Sequence, residues 1–158
     1  MATATAAVVT DGTIFRPRLV EGRCRETSSL KADELEKYTL KSRRVKVKPQ
    51  YFQCIKAGMR LAMQEGTAAS SGGYTLGIAG KTGTVENVPT ADNPRGLNHC
   101  WFTGYAPYQS AANWTAPPLV VTVFVEKSGG YGGAVAAPVA VKVFEAWNKI
   151  SSTPSVAP

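Results

Sequence analysis

The chain contains 158 residues, 44% of them hydrophobic, which is enough for one domain with its own core. The formal net charge is +7, but five of the positive side chains lie in one run, so the rest of the chain carries 7 − 5 = +2. Valines rather than aromatic residues alternate with these cations, which favours a solvated strand face over a nucleic-acid site; the cations are Lys41, Arg43, Arg44, Lys46 and Lys48.

Cysteine usage and hydropathy exclude further classes. Cys24, Cys54 and Cys100 are odd in number and widely spaced, which argues against a metal site or a dense disulfide framework and predicts buried thiols. No cofactor is implied. No signal peptide is recognisable, and no apolar run reaches the roughly 20 residues of a membrane helix, so the sequence shows no export signal or anchor.

The first third of the chain predicts small elements. Residues 2–10 have the composition of a small-residue helix, and Thr13–Val20 is extended, with Pro17 keeping it out of a central strand. Leu30–Lys37 predicts a short charged helix inside a polar loop. Tyr38–Lys48 then alternates in the manner of an exposed strand.

Gln50–Glu65 is the clearest predicted helix, because Pro49 precedes it and Gly66 supplies its end. One face collects apolar residues at helical spacing and is predicted to pack inward: Phe52, Ile55, Met59, Ala62 and Met63. A connector of small residues leads from this helix to a predicted strand over Leu76–Ala79.

Two further strands and a helix complete the prediction. Cys100–Tyr105 is one strand; Leu119–Val125 is another, apolar on both faces and therefore expected to be covered on both sides. The last helix runs from near Pro138, and its predicted inward residues are Val139, Val143, Ala146, Trp147 and Ile150. Residues 151–158 are expected to form a flexible tail. The order of elements predicts an α+β fold, with a three-stranded antiparallel sheet covered by helices.

The segment between Gly80 and Gly83 is the candidate site. Lys81, neighbouring threonine hydroxyls and backbone N–H groups approachable beside glycines suit an anion. Two chemistries use such a segment: a phosphate-binding P-loop, or the Lys-Thr-Gly strand of enzymes that acylate a serine. A P-loop needs glycine at position Thr75 and a helix that begins at the lysine, whereas Gly83 and the β-branched residues around it favour an extended chain.

The ordered motifs resemble the C-terminal part of the transpeptidase domain of class B penicillin-binding proteins, and elongation-type members in particular. The segments that carry the resemblance are Ala79–Thr84, Cys100–Pro107, Val125–Glu126, the Gly-Gly before Ala136–Pro138, Asp11–Val20 and Gly58–Thr67. The resemblance implies a partial penicillin-binding, β-lactamase-like fold. Residues 1–150 would then form the C-terminal portion of that domain.

This resemblance implies that peptidoglycan stem peptides are cross-linked by serine acyl transfer and that β-lactams imitate the substrate. It implies that Lys81 supplies positive charge, and that the Thr82 and Thr84 hydroxyls hold the substrate carboxylate. Gly83 would allow close approach, and the Thr84 backbone N–H would donate to the oxyanion. The substrate would pair with the strand edge. The implied location is the cell envelope, at the periplasmic face of the inner membrane.

Two motifs of the family depart from its pattern here. No Ser-x-Asn occurs, and the Ser-x-x-Lys at Ser28–Lys31 opens a charged stretch expected on the surface, so Ser28 is rejected as the nucleophile. The nucleophile, the Ser-x-Asn motif and any membrane anchor are therefore expected outside these residues. The missing N-terminal half of the domain is the expected partner, and apolar surface is expected where it packs.

Two function classes stay open at this point. The chain is either part of a D,D-transpeptidase that is inactive alone, or a non-catalytic interaction module derived from that domain. His99 has no matching serine and acid and is expected to be a solvent-facing loop residue. Glu126, Tyr131 and the loop Glu86–Asn98 are candidates for the rim of the site.

Overall fold

The computed structural model describes residues 1–20, 22–23, 36–37, 41–109 and 111–152. Its elements in chain order are α1 (Ala2–Val9), β1 (Thr13–Phe15), β2 (Gly22–Arg23), β3 (Glu36–Lys37), β4 (Ser42–Arg44), α2 (Pro49–Gln64), a 3₁₀ turn (Ala69–Ser71), β5 (Ala79–Val85), β6 (His99–Ala106), β7 (Leu119–Val125) and α3 (Ala136–Ser152). Cys24, Ser28–Lys31 and most of the predicted charged helix lie outside the described residues. Glu36 and Lys37, the end of that predicted helix, are extended instead.

The main sheet is antiparallel, and its strand order is β5-β6-β7, so β6 is central and β5 is an edge strand. Lys81 lies opposite Thr103 of β6, which in turn lies opposite Thr122 of β7. Two small antiparallel pairs, β1 with β4 and β2 with β3, lie apart from this sheet. The predicted α+β architecture is therefore confirmed.

The strand predicted at Leu76–Ala79 is wrong in position, because β5 begins only at Ala79. The preceding residues form a turn in which the Gly77 N–H donates to the Tyr74 carbonyl at 3.0 Å. Gly77 has φ +73°, a left-handed conformation that ends any strand before it. The Lys-Thr-Gly residues are thus the strand itself rather than its continuation.

Hydrophobic clusters lie on both faces of the sheet. On one face Phe102 is fully buried, and its ring lies so close that a Cβ built on Gly80 would meet Phe102 Cζ at 2.2 Å. On the other face Met59, Ala79 and Tyr105 form a cluster against α1 and β7. Glycine at position 80 is therefore required by the packing of the central strand.

The last helix buries a different face from the predicted one. Val139, Val143 and Ile150 are 46%, 43% and 69% exposed, whereas the face against the sheet consists of Ala136, Ala137, Ala140, Val141 and Phe144. Alanines and valines make this helix apolar on several sides, so periodicity alone does not select the buried side. The alanines allow close approach to the sheet, and the ring of Phe144 fills the space beyond them.

Smaller corrections concern single side chains. Ile55 of α2 is exposed rather than buried, and Cys54 is exposed while Cys100 is buried. Phe124 is 47% exposed, so β7 is not covered along its whole length on both faces. The helix α3 continues to Ser152, beyond the predicted start of the tail, and residues 153–158 lie outside the described part. The five cations of the basic run are all exposed, as predicted.

Candidate active site

The candidate site lies on the open edge of the sheet. All of Ala79–Val85 pairs with β6, and no second strand flanks β5 among the described residues. On an edge strand, alternate N–H and C=O groups point away from the sheet and can pair with another extended chain. The extended conformation predicted around Lys81 is confirmed, and it is incompatible with the helix N-terminus that a P-loop requires.

Strand alternation separates the predicted site residues. Lys81 and Gly83 point to one face of β5, and Thr82 and Thr84 point to the other, because successive side chains of a strand alternate. Lys81 is exposed, and its Nζ donates to the backbone carbonyl of Thr82 at 2.8 Å. The ammonium and the two hydroxyls therefore flank the open edge from opposite sides.

Each threonine hydroxyl of the site has a partner within the chain. The Thr82 hydroxyl shares a hydrogen bond with the hydroxyl of Thr67, and the Thr84 Oγ1 accepts from the Gly132 backbone N–H at 3.1 Å. A hydroxyl that accepts one hydrogen bond still has its own proton to donate. In these contacts Thr84 thus keeps a donor, and the Thr67–Thr82 pair keeps one of its two protons.

The glycine-rich loop before α3 packs directly on the candidate strand. A Cβ on Gly132 would lie 2.6 Å from the carbonyl oxygens of Gly83 and Trp101, and a Cβ on Gly133 would lie 1.8 Å from the carbonyl oxygen of Thr67. Only glycine can approach the backbone this closely. The loop therefore joins the end of α2, β5 and β6 into one unit.

Helix α2 and the turn after it support the site at two points. Thr67 follows the helix and contacts Thr82, while Arg60 on the helix donates to the carbonyls of Ile78 and Tyr74 at 2.7 and 2.9 Å. Sequence reasoning assigned no role to either residue. Both lie within the Gly58–Thr67 segment that contributes to the family resemblance, which was the available signal.

The loop between β5 and β6, predicted as a rim, is organised by a buried asparagine. Asn93 accepts from the Leu97 N–H and donates to the Leu97 carbonyl, both at 2.9 Å. Lys127 Nζ donates to the carbonyl of Asp92 at 2.7 Å and ties the loop to the end of β7. Rim roles for this loop, Glu126 and the exposed Tyr131 stay predictions.

His99 is not the solvent-facing loop residue that the sequence predicted. It is the first residue of β6 and half-buried, and its Nδ1 accepts the Lys127 backbone N–H at 2.9 Å. Its ring lies 5.5 Å from that of Phe124. This hydrogen bond and the ring contact hold His99 against the end of β7.

Two further findings concern metal-binding clusters and membrane-spanning helices. Within them, no three His, Cys, Asp or Glu side chains come together where a metal ion could be held. None of the described helices combines the length and the apolar character that crossing a membrane demands.

Lys-Thr-Gly is one of the motifs shared by penicillin-binding proteins and class A β-lactamases, whose nucleophile is a serine. Here it lies along the open edge of an antiparallel sheet. Residues 1–145 match the family described as penicillin binding protein transpeptidase domain, and the chain belongs to this family. The predicted family is therefore confirmed.

Relatives and solved structures agree with this assignment. The chain is 42% identical to the peptidoglycan D,D-transpeptidase MrdA of Haemophilus influenzae over 43% of this chain and 11% of that protein. It superimposes on penicillin-binding protein A of M. tuberculosis, in a ceftriaxone acyl-enzyme complex, with a TM-score of 0.67, 28% identity and coverage of 92% of this chain and 31% of that one.

A second solved structure shows the same fold at lower identity. The transpeptidase domain of Burkholderia pseudomallei penicillin-binding protein 3 gives a TM-score of 0.61 at 19% identity, covering 99% of this chain and 43% of that domain. The chain thus spans less than half of the length of each of these three proteins.

Proposed function

We propose that this chain supplies the substrate-binding strand of a peptidoglycan D,D-transpeptidase. The main support is that β5 is an extended edge strand on which Lys81 is exposed, in a chain of the penicillin-binding transpeptidase family. An open edge can bind an extended peptide by main-chain pairing. The similarity to MrdA supports the elongation-type subclass within this proposal.

In the proposed reaction a serine from another segment of the domain attacks the carbonyl carbon of the penultimate D-alanine. The terminal D-alanine leaves, and an amine of a second stem peptide then attacks the acyl-serine and frees the serine. Lys81 places positive charge beside the substrate. The Thr84 N–H donates to the developing oxyanion, a contribution of about 3 kcal/mol in other acyl-transfer enzymes.

The substrate carboxylate is proposed to lie along the open edge of β5. The proton that Thr84 keeps, and the one left in the Thr67–Thr82 pair, can both donate to it. Gly83 leaves the opposite face of the strand free for close approach. The acyl-enzyme complexes of M. tuberculosis penicillin-binding protein A with ceftriaxone and penicillin G support β-lactams as further ligands of this site.

The remaining part of the transpeptidase domain is the proposed partner. On this chain, the proposed docking surface for that partner is the α3 groove, defined here by Leu119, Val139, Lys142, Val143, Ala146, Trp147 and Ile150. Leu119 also begins β7, whose outer edge pairs with no strand among the described residues. A groove continuous with a free strand edge fits a helix and a strand of the same domain, and this chain spans only 31% of a solved relative.

Ligand binding to the isolated chain tests the function. Titrating an acyl-D-Ala-D-Ala peptide is expected to shift the backbone amide signals of Lys81–Thr84, and Lys81→Ala is expected to weaken binding at least tenfold. Lys46→Ala, in the exposed basic run, is the matched control. The proposal is contradicted if the amide signals of β5 do not shift when the peptide is added, or if they shift equally in wild type and Lys81→Ala.

Covalent labelling tests where the nucleophile lies. A fluorescent penicillin is expected to form no stable adduct with this chain alone, and labelling is expected once the rest of a family domain is supplied. An adduct mapped to Ser28 in the isolated chain overturns the rejection of that serine. The proposed location is the periplasmic face of the inner membrane.

A non-catalytic interaction module is the second candidate, and the exposed α3 groove favours it. In that case the chain forms a one-to-one complex with the rest of a family domain, Lys81→Ala leaves the complex unchanged, and penicillin labels neither component. If penicillin labels the wild-type complex and Lys81→Ala abolishes this labelling, the transpeptidase function is supported over the interaction module.

A further inference from the structure

We propose that Arg60 is a positioning residue for the substrate-binding strand, an inference that rests on the proposed function of β5. Arg60 lies on α2 and reaches the backbone just before β5. Its two terminal nitrogens donate to the carbonyls of Ile78 and Tyr74 at 2.7 and 2.9 Å. Ile78 is fully buried and is followed directly by Ala79, the first residue of the strand.

These hydrogen bonds connect α2 to the turn that directly precedes β5. The Tyr74 carbonyl accepts from Arg60 and from the Gly77 N–H, so one oxygen anchors both the turn and the helix. Hydrogen bonds from a charged donor are about twice as strong as those between neutral groups. Only Ala79 and Gly80 separate Ile78 from Lys81, so a displacement at this anchor is transmitted to the cation along an extended backbone.

Two aromatic rings lie close to the guanidinium. Its central carbon lies 3.7 Å from the centroid of the Tyr74 ring and 5.6 Å from that of Tyr108. Tyr108 follows β6, and its N–H donates to the Gly77 carbonyl at 2.7 Å. Arg60 therefore fixes the start of β5 and the end of β6 together, through hydrogen bonds and cation–π contacts.

Lysine cannot replace this arginine. A planar guanidinium presents several N–H donors in a rigid fork and stacks flat on a ring, whereas an ammonium is a flexible point charge. Arg60→Lys keeps the charge and loses the fork, and Arg60→Gln loses both. The order wild type, Lys, Gln is therefore the expected order of substrate affinity at Lys81–Thr84.

The test uses the isolated chain and an acyl-D-Ala-D-Ala peptide. Arg60→Gln is expected to weaken binding at least tenfold, with an intermediate loss for Arg60→Lys. Phe52→Leu, on the same helix but packed beside Gly12, serves as the destabilising control, because Phe52 is buried. It is expected to bind within twofold of wild type, which separates positioning from a general loss of stability.

A ligand-free measurement keeps this inference separate from the proposed function. Arg60→Gln is expected to speed amide hydrogen exchange in Ala79–Thr84 at least tenfold more than Phe52→Leu does. If wild type fails to bind the peptide, the proposed function is wrong. The positioning role of Arg60 is then tested by amide hydrogen exchange alone. The positioning role is overturned if Arg60→Gln has the same amide exchange rates in β5 as wild type and the same affinity for the peptide.

Discussion

The backbone N–H of Gly132 donates to the hydroxyl of Thr84 at 3.1 Å, which ties the glycine-rich loop before α3 to the candidate substrate strand. The contact brings together residues 48 positions apart in the chain. It depends on a glycine, because a side chain at position 132 would collide with the carbonyls of β5 and β6. The hydroxyl that the family resemblance assigns to the substrate is thus held in place by a loop.

Gly132→Ala is expected to push this loop off the strand and lower the free energy of unfolding by about 1–3 kcal/mol, the usual cost of overpacking. Urea titration measures the change. Gly58→Ala is the control, because a Cβ there has no neighbour within 4 Å, and alanine is expected to stabilise α2 by about 0.5–1 kcal/mol. Equal stability of Gly132→Ala and wild type contradicts the contact.

Gly80→Ala is expected to destabilise the chain by about 1–3 kcal/mol, because the new methyl group meets the Phe102 ring. Phe102→Leu removes that ring edge, so the double variant is expected to lose less stability than the two single variants combined. A coupling energy of about 0.5–3 kcal/mol in the double-mutant cycle is the expected result. Strict additivity shows that the ring and Gly80 do not compete for space.

Two adjacent residues of α3 test which face of the helix is buried. Phe144 is fully buried, so Phe144→Ala is expected to lower the free energy of unfolding by about 3–5 kcal/mol. Val143 is 43% exposed, and Val143→Ser is expected to change it by no more than about 0.5 kcal/mol. If Val143→Ser lowers the free energy of unfolding more than this in denaturant titrations, the buried face is the one that periodicity predicted.

Tyr105 gives the chain a pH dependence at high pH. Burial, and then the neighbouring Tyr108, raise the pKa of its hydroxyl from 10.0 to about 12. The folded state therefore retains a proton that the unfolded state releases, so this contribution to stability is complete below pH 10.0 and is lost as pH rises towards about 12. Tyr105→Phe is expected to flatten the fall in stability over this window.

The hydroxyl of Tyr105 also has no hydrogen-bond partner among the described residues. Removing an unpaired buried hydroxyl is expected to stabilise the chain by about 1 kcal/mol at neutral pH. Tyr131→Phe, at an exposed ring, is the matched control for both measurements. A Tyr105→Phe variant that is less stable than wild type at neutral pH shows that the hydroxyl has a partner after all.

Local sequence features determined the elements that depend on few neighbours. Pro49 and Gly66 bracket α2 to within one or two residues, because backbone geometry at proline and glycine is a local property. The apolar run Leu119–Val125 coincides with β7. The ordered motifs from Asp11–Val20 to Ala136–Pro138 were sufficient to identify the family, because together they resemble it in order and spacing.

Only the tertiary structure decided which surfaces meet. Periodicity left α3 with several apolar sides, and the sheet selected the one whose alanines permit close packing. The partners of Thr82 and Thr84 are Thr67 and Gly132. Both belong to segments that carry the family resemblance, but residue spacing does not predict their contacts with β5. Residue spacing reports the faces of a single element, whereas contacts between elements depend on their relative placement, which the packing of the whole domain sets.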